Sequence, residues 1–168
     1  MSYQPPAAPP PPGQPYQPQG APQGPVPLRA PLYGASFGDA VRRFFKKYAD
    51  FTGRASRSEY WWWILLQFLI GLALWLLAFI LGVAGPITSS DDSRLASPGF
   101  WVIVVIATVW GLATLVPHLA VTWRRLHDAN LAGPWWFLSF VPFGSIVILV
   151  FTLLQSNPQG ARFDRPTP

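Results

Sequence analysis

Three long apolar blocks fill most of the chain beyond residue 59, and short polar segments separate them. They cover about residues 60–83, 100–123 and 135–154. Each reaches the roughly 20 residues that a helix needs to cross a bilayer core. Pro117 and His118 interrupt the last third of the second block. A proline there removes one helical hydrogen bond and kinks the helix. The third block holds Pro142 and Gly144 near its middle, in the run VPFG. Two readings follow: one kinked helix, or a re-entrant pair of half-helices. The kinked helix is favoured, because the block is long enough for a crossing.

The pattern differs ahead of the first block. In residues 36–50, SFGDAVRRFFKKYAD, the apolar residues Val41, Phe44, Phe45 and Tyr48 recur at helical spacing. Arg42, Arg43, Lys46 and Lys47 take the other side. Ser36 with Asp39 forms an N-terminal cap. A basic amphipathic helix beside a span predicts a helix lying on the membrane surface. Gly53 ends it, since glycine tolerates a left-handed turn. Ser56 and Glu59 match the S-x-x-E capping box, which starts the first span. Tyr60, Trp61, Trp62 and Trp63 follow at headgroup level, where amphipathic rings are favoured.

Residues 1–35 show neither periodicity. Twelve of the first 31 residues are proline. Such a segment buries too little apolar surface to offset chain entropy, so a disordered tail with polyproline character is expected. It reads as a spacer or as a docking strip for a proline-reading protein, with Tyr3 and Tyr16 as handles. The spacer is preferred, because no basic-flanked PxxP occurs. The predicted fold is therefore an all-α membrane protein. A disordered Pro-rich tail (1–35) precedes a cytoplasmic interfacial amphipathic helix (36–50). A membrane domain (51–158) with three transmembrane helices follows, the third kinked or re-entrant. A polar tail (159–168) ends the chain.

Composition strengthens the membrane reading. Charged residues make up 11% of the chain, against about 25% in soluble domains. Cysteine is absent, which excludes disulfides, thiol catalysis and Cys-ligated metal. The net charge of +5 is clustered beside the apolar blocks. That points to anionic lipid as partner rather than nucleic acid. Arg42, Arg43, Lys46, Lys47, Arg54 and Arg57 precede the first span, Arg94 lies in the first loop, and Arg124 and Arg125 lie in the second. The N-terminus and the 124–134 loop are thus expected in the cytoplasm. A third crossing leaves Arg162 and Arg165 outside; a re-entrant third segment removes that conflict.

The candidate chemistry centres on Trp123 to Phe137, WRRLHDANLAGPWWF. Under this topology Arg54, Arg57, Glu59, Arg124, Arg125, His127, Asp128 and Asn130 share one membrane side. Arginine presents bidentate geometry to phosphate, so a headgroup site is one reading. The other is orientation by charge together with mutual salt bridges. Here Glu59 and Asp128 are expected to pair with arginines across the two segments, or Asp128 to pair locally with Arg124 or Arg125. His127 and Asp128 supply only half of a metal site, which needs three or four ligands. His118 is the sole other histidine, expected to bond a carbonyl freed by Pro117. HExxH, P-loop, GxSxG and GxGxxG motifs are absent. No catalytic residue, metal or cofactor is assigned, and an enzyme is not expected. The expected function is a structural or interaction protein of the cytoplasmic membrane. A small oligomeric transporter or channel subunit is the alternative, with sparse polar residues in its spans: Gln67, Thr108, Thr114 and His118.

The segments FTGRASRSEYWWW, RRLHDANLAGPWWFL, VPFG and QGARFD, in that order, resemble the domain-of-unknown-function 805 family, small bacterial inner-membrane proteins of the YhaH type. The resemblance covers about residues 44–166. It implies a multi-span inner-membrane protein and carries no established activity or catalytic residues. The chain departs from the family in its long Pro-rich N-terminus, at Pro134, and at Asp164, where the tail often has glycine.

Overall fold

Two helices dominate: α2 (Arg57–Thr88) and α3 (Pro98–Asp128). The structure, a computed structural model, describes residues 26–88 and 98–164, without the side chains of 82–88. The expectations for residues 1–25, the acidic loop with Asp91, Asp92 and Arg94, and Arg165 lie outside the described residues. Arg57–Leu81 and all of α3 are long and apolar enough to cross a membrane, with hydropathies of 2.7 and 2.2. Their outer faces stay open: Phe68, Trp75, Phe79, Val105 and Leu112 are all exposed. An apolar face of this extent needs lipid or a partner to cover it. Helix α2 continues to Thr88, beyond Gly85-Pro86, because a proline in the final turn removes only one backbone bond.

Polar side chains in the seam between α2 and α3 satisfy each other. Gln67 donates to the Thr114 hydroxyl at 3.2 Å and accepts from the Trp110 indole at 3.1 Å. The Trp63 indole donates to Nδ1 of His118 at 3.3 Å. Interhelical hydrogen bonds of this kind hold spans together where the surrounding lipid is as apolar as the side chains. Pro117 lacks the N–H that would bind the Ala113 carbonyl one turn back. The Tyr48 hydroxyl donates to that carbonyl instead, at 2.5 Å. The freed acceptor is therefore met by Tyr48, and not by His118.

The third block departs most from expectation. Residues 135–154 do not form one kinked crossing helix. A 3-10 helix (Gly133–Phe140) and α4 (Gly144–Leu153) are joined by a turn in which Phe143 has a φ of 62°. A Cβ on Gly144 would lie 1.7 Å from the Leu138 carbonyl oxygen, so only glycine allows this close return. The rings of Trp135 and Phe151 come within 6.1 Å, so the segment folds back on itself. Its start packs on α3 at Trp123, and its end reaches the same turn of α3 through the Thr152 and Leu154 carbonyls. The ten residues of α4 span about 15 Å, half of a hydrocarbon core.

The end of α3 is enclosed by residues 26–35, α1, the 51–56 segment and the chain that leaves α4. Helix α1 (Phe37–Lys46) starts at Ser36, whose hydroxyl accepts from the Asp39 amide at 3.2 Å. Its buried face is Ala40, Arg43, Phe44 and Lys47, rotated from the predicted stripe. Phe45 and Tyr48 are 44% and 42% exposed, while Arg43 and Lys47, assigned to the polar side, turn inward. The cause is a partner: Glu59 receives Arg43, and the Phe44 ring stacks on Trp63. The tail was expected to be disordered to residue 35. Instead residues 26–35 form a strap across this end, with Pro31 and Ala35 buried.

Candidate functional site

Arg54, Arg57, Glu59, Arg124, Arg125, His127, Asp128 and Asn130 all lie in the cap at the end of α3. Helix α3 terminates at Asp128, and Asn130 follows in the left-handed conformation with a φ of 62°. The Leu131 amide donates to the Leu126 carbonyl and the Asn130 amide to the His127 carbonyl, both at 2.9 Å. This pair of bonds is a Schellman ending, for which asparagine is suited at the left-handed position. Gly133 then fits flat against the Trp123 indole, where a Cβ would clash at 1.8 Å.

Arg125 and Asp128 are fully buried and pair locally, Nη1 to Oδ2, at 2.6 Å. Arg125 also donates to the Thr152 carbonyl at 3.0 Å and to the Leu154 carbonyl. Asp128 accepts from the Tyr33 hydroxyl at 2.9 Å and from Ser156. The Asp128 backbone carbonyl takes the Asn157 amide at 2.8 Å. One carboxylate thus binds the strap, α3 and the chain that leaves α4. Tyr33 shows the effect of this company: burial first, then the Asp128 charge and hydrogen bond, push its phenol up to about 12.

Glu59 does not reach the α3 arginines. Its Oε2 accepts from the Ser56 amide at 2.9 Å, and the Ser56 hydroxyl accepts from the Glu59 amide at 3.2 Å. That is the capping box read from the sequence. The same carboxylate takes the Leu32 amide at 3.2 Å and pairs with Arg43. Arg43 in turn gathers the strap, donating to the carbonyls of Val26, Pro27, Leu28 and Ala30. The predicted clasp of Glu59 and Asp128 to arginines across the two segments is therefore replaced by two separate hubs. Arg43–Glu59 holds α1 and the strap on α2. Arg125–Asp128 holds the strap and the last segment on α3.

The remaining members serve the same closure. Arg54 meets Asp164 in a forked pair, with Nη2 to Oδ2 at 2.8 Å and Nε to Oδ1 at 3.2 Å. Arg57 donates to the Leu154 carbonyl at 2.8 Å. His127 places Nδ1 3.0 Å from the Gly53 carbonyl, and its ring stacks on Phe163 at 4.1 Å. Gly53, with a φ of 76°, donates its amide to the Phe163 carbonyl at 3.0 Å. Gly160 lies so close to the His127 carbonyl that a Cβ would come within 2.3 Å. Asn130 donates to Gln159 at 3.1 Å. Arg124 donates to the Lys47 carbonyl at 3.2 Å, and its buried Nε has no partner.

Sequence reading missed Tyr33, Arg43 and Ser156 as members of the cap. In the sequence Arg43 is legible only as a polar-face cation, and Tyr33 lies in a stretch with the composition of a tail. Among the described residues no group of three His, Asp or Glu side chains is placed to hold a metal. The arrangement binds chain to chain; among the described residues the exposed cations are Arg29, Arg42, Lys46, Arg57 and Arg162.

Three segments meeting here, FTGRASRSEYWWW, RRLHDANLAGPWWFL and QGARFD, carry the family resemblance, and the comparisons cover them. The profile of DUF805, described as a protein of unknown function, matches residues 48–165. The chain belongs to the DUF805 family. It is 34% identical over 119 residues to the inner membrane protein YhaI of Escherichia coli K12, covering 70% of this chain and 86% of that protein. It is 33% identical over 126 residues to the inner membrane protein YhaH of the same organism, covering 74% and 93%. No solved structure matches. This is a bacterial inner-membrane protein. Asp164 is the carboxylate that Arg54 grips, which ties the entry to α2 to the C-terminal segment.

Proposed function

We propose that this DUF805 protein is a structural or interaction protein of the cytoplasmic membrane, whose cap faces the cytoplasm and holds anionic lipid headgroups. One observation carries the reading. Arg42 and Lys46 stay exposed on α1, beside the exposed rings of Phe37 and Phe45. Phe37 touches Trp62 with ring centres 5.8 Å apart, which ties this face to the start of the first span. Cations beside rings at a span end suit the headgroup layer. Each contributes about 1 kcal/mol near an anionic leaflet. The inward arginines are engaged by protein groups, so the lipid site is the outer face of α1. The cytoplasmic orientation rests on the count of basic residues near the span ends. The bonding of Gln67, Trp110 and Thr114 to each other favours this reading over a transporter, whose path needs polar groups turned to water.

Native mass spectrometry of the purified full-length protein tests it. Phosphatidylglycerol should be retained over phosphatidylcholine, and Arg42→Gln with Lys46→Gln should remove that preference. Equal retention of both lipids in the unaltered protein refutes the headgroup site. Solute flux in vesicles that depends on the protein favours the transporter instead.

A further inference from the structure

A small cavity of about 10 Å³ lies between α1, α2 and α3, lined by Ala40, Arg43, Lys47, Glu59 and Arg124 among others. That is room for about one water-sized sphere. Phosphate and carboxylate groups are too large for it. Arg124 is 2% exposed, and its Nε is a buried donor without an acceptor. Unmet buried donors are uncommon in folded proteins, and each calls for an explanation. Charge supplies a second observation. Arg43, Lys47 and Arg124 stand against the two carboxylates Glu59 and Asp50. One positive charge is left over.

We propose that this cavity binds a single halide-sized monoanion, held by the Arg124 Nε–H and neutralising the surplus cation between Lys47 and Arg124. A water would meet the donor and leave the charge. A monatomic anion meets both. This site is distinct from the lipid-facing side of α1 and does not depend on it. The state of Lys47 agrees: burial first, with Arg124 and Arg43 adding to it against Glu59 and Asp50, holds its ammonium down to about 8. Anion binding should favour the protonated form, so affinity should fall as pH rises through that value.

The test is thermal unfolding of the purified full-length protein in detergent at constant ionic strength, with gluconate exchanged for chloride, bromide or phosphate. Chloride and bromide should raise Tm saturably by several degrees at pH 7 and less at pH 9; phosphate should not. Lys47→Gln should abolish the halide response, and it keeps the backbone carbonyl that Arg124 uses. Identical Tm in chloride and gluconate overturns the proposal and leaves a water in the cavity. A halide response that survives Lys47→Gln puts the ion elsewhere and overturns it too, as does a response to phosphate alone. If the variant does not fold, crystals of the unaltered protein in bromide decide. An anomalous peak within hydrogen-bond reach of the Arg124 Nε is expected, and its absence contradicts the assignment.

Discussion

The hydroxyl of Tyr33 donates to Oδ1 of Asp128 at 2.9 Å, across 95 residues of chain. This bond ties the strap to the end of the second long helix. Hydrogen bonds to charged groups contribute about 1.5–3 kcal/mol. Tyr33→Phe should therefore lower Tm in detergent, while removal of residues 2–25 should leave it unchanged. Removal of residues 2–35 should lower it further than Tyr33→Phe, since Arg43 and Glu59 then lose the carbonyls and the amide they bind. Thermal unfolding of the three proteins checks the order.

The two acidic partners of the cap differ in depth. Asp128 is fully buried against Arg125, whereas the Asp164 side chain is 34% exposed beside Arg54. Breaking a buried pair from one side costs about 3–5 kcal/mol; an exposed pair contributes about 0–1 kcal/mol. Asp128→Ala should destabilise strongly and Asp164→Ala little. Similar losses in denaturant titrations would show that the Arg125 pair is not the main hub.

Much of this was readable in the residues. The apolar blocks, the Ser56–Glu59 capping box and the local pairing of Asp128 with an arginine follow from periodicity and spacing. The fold-back of residues 133–153 did not. VPFG permits a kink or a return, and the choice lies in the approach of Gly144 to the Leu138 carbonyl, a contact no local pattern encodes. The strap was hidden for a different reason. Its residues have weak propensities, and its order comes from Arg43, Ser56, Ser58 and Glu59 binding its backbone.

Tyr48 and Pro117 should be coupled. The Tyr48 hydroxyl supplies the donor that Pro117 withholds from the Ala113 carbonyl. Tyr48→Phe should destabilise the unaltered protein by about 1 kcal/mol. It should cost much less in a Pro117→Ala background, where the helix supplies its own N–H. Additive effects in the double-mutant cycle would show that the bond does not compensate for the proline.

Lys47 and Tyr33 give stability two opposed pH responses. The folded chain holds Lys47 near 8 against an ordinary 10.5, so between these values the unfolded chain binds more protons. Stability should therefore rise with pH from about 8 to 10.5. Tyr33 is held near 12 against 10, so above pH 10 the unfolded chain loses its proton first and this group lowers stability. In gluconate the rise between pH 8 and 10 should be smaller in Lys47→Gln than in the unaltered protein. An equal rise in both would assign it to another group.

The third block returns to the end of α3 at which it began, so that the strap, the 129–132 loop and residues 155–164 form one cap. Single cysteines at Ala132 and Gln159, in a chain with none of its own, test this directly. Intact cells are treated with an impermeant thiol reagent, before and after permeabilisation. Both positions should be protected in intact cells and react together once the membrane is opened. Labelling of Gln159→Cys in intact cells while Ala132→Cys stays protected would mean that the third block crosses, and would contradict the cap.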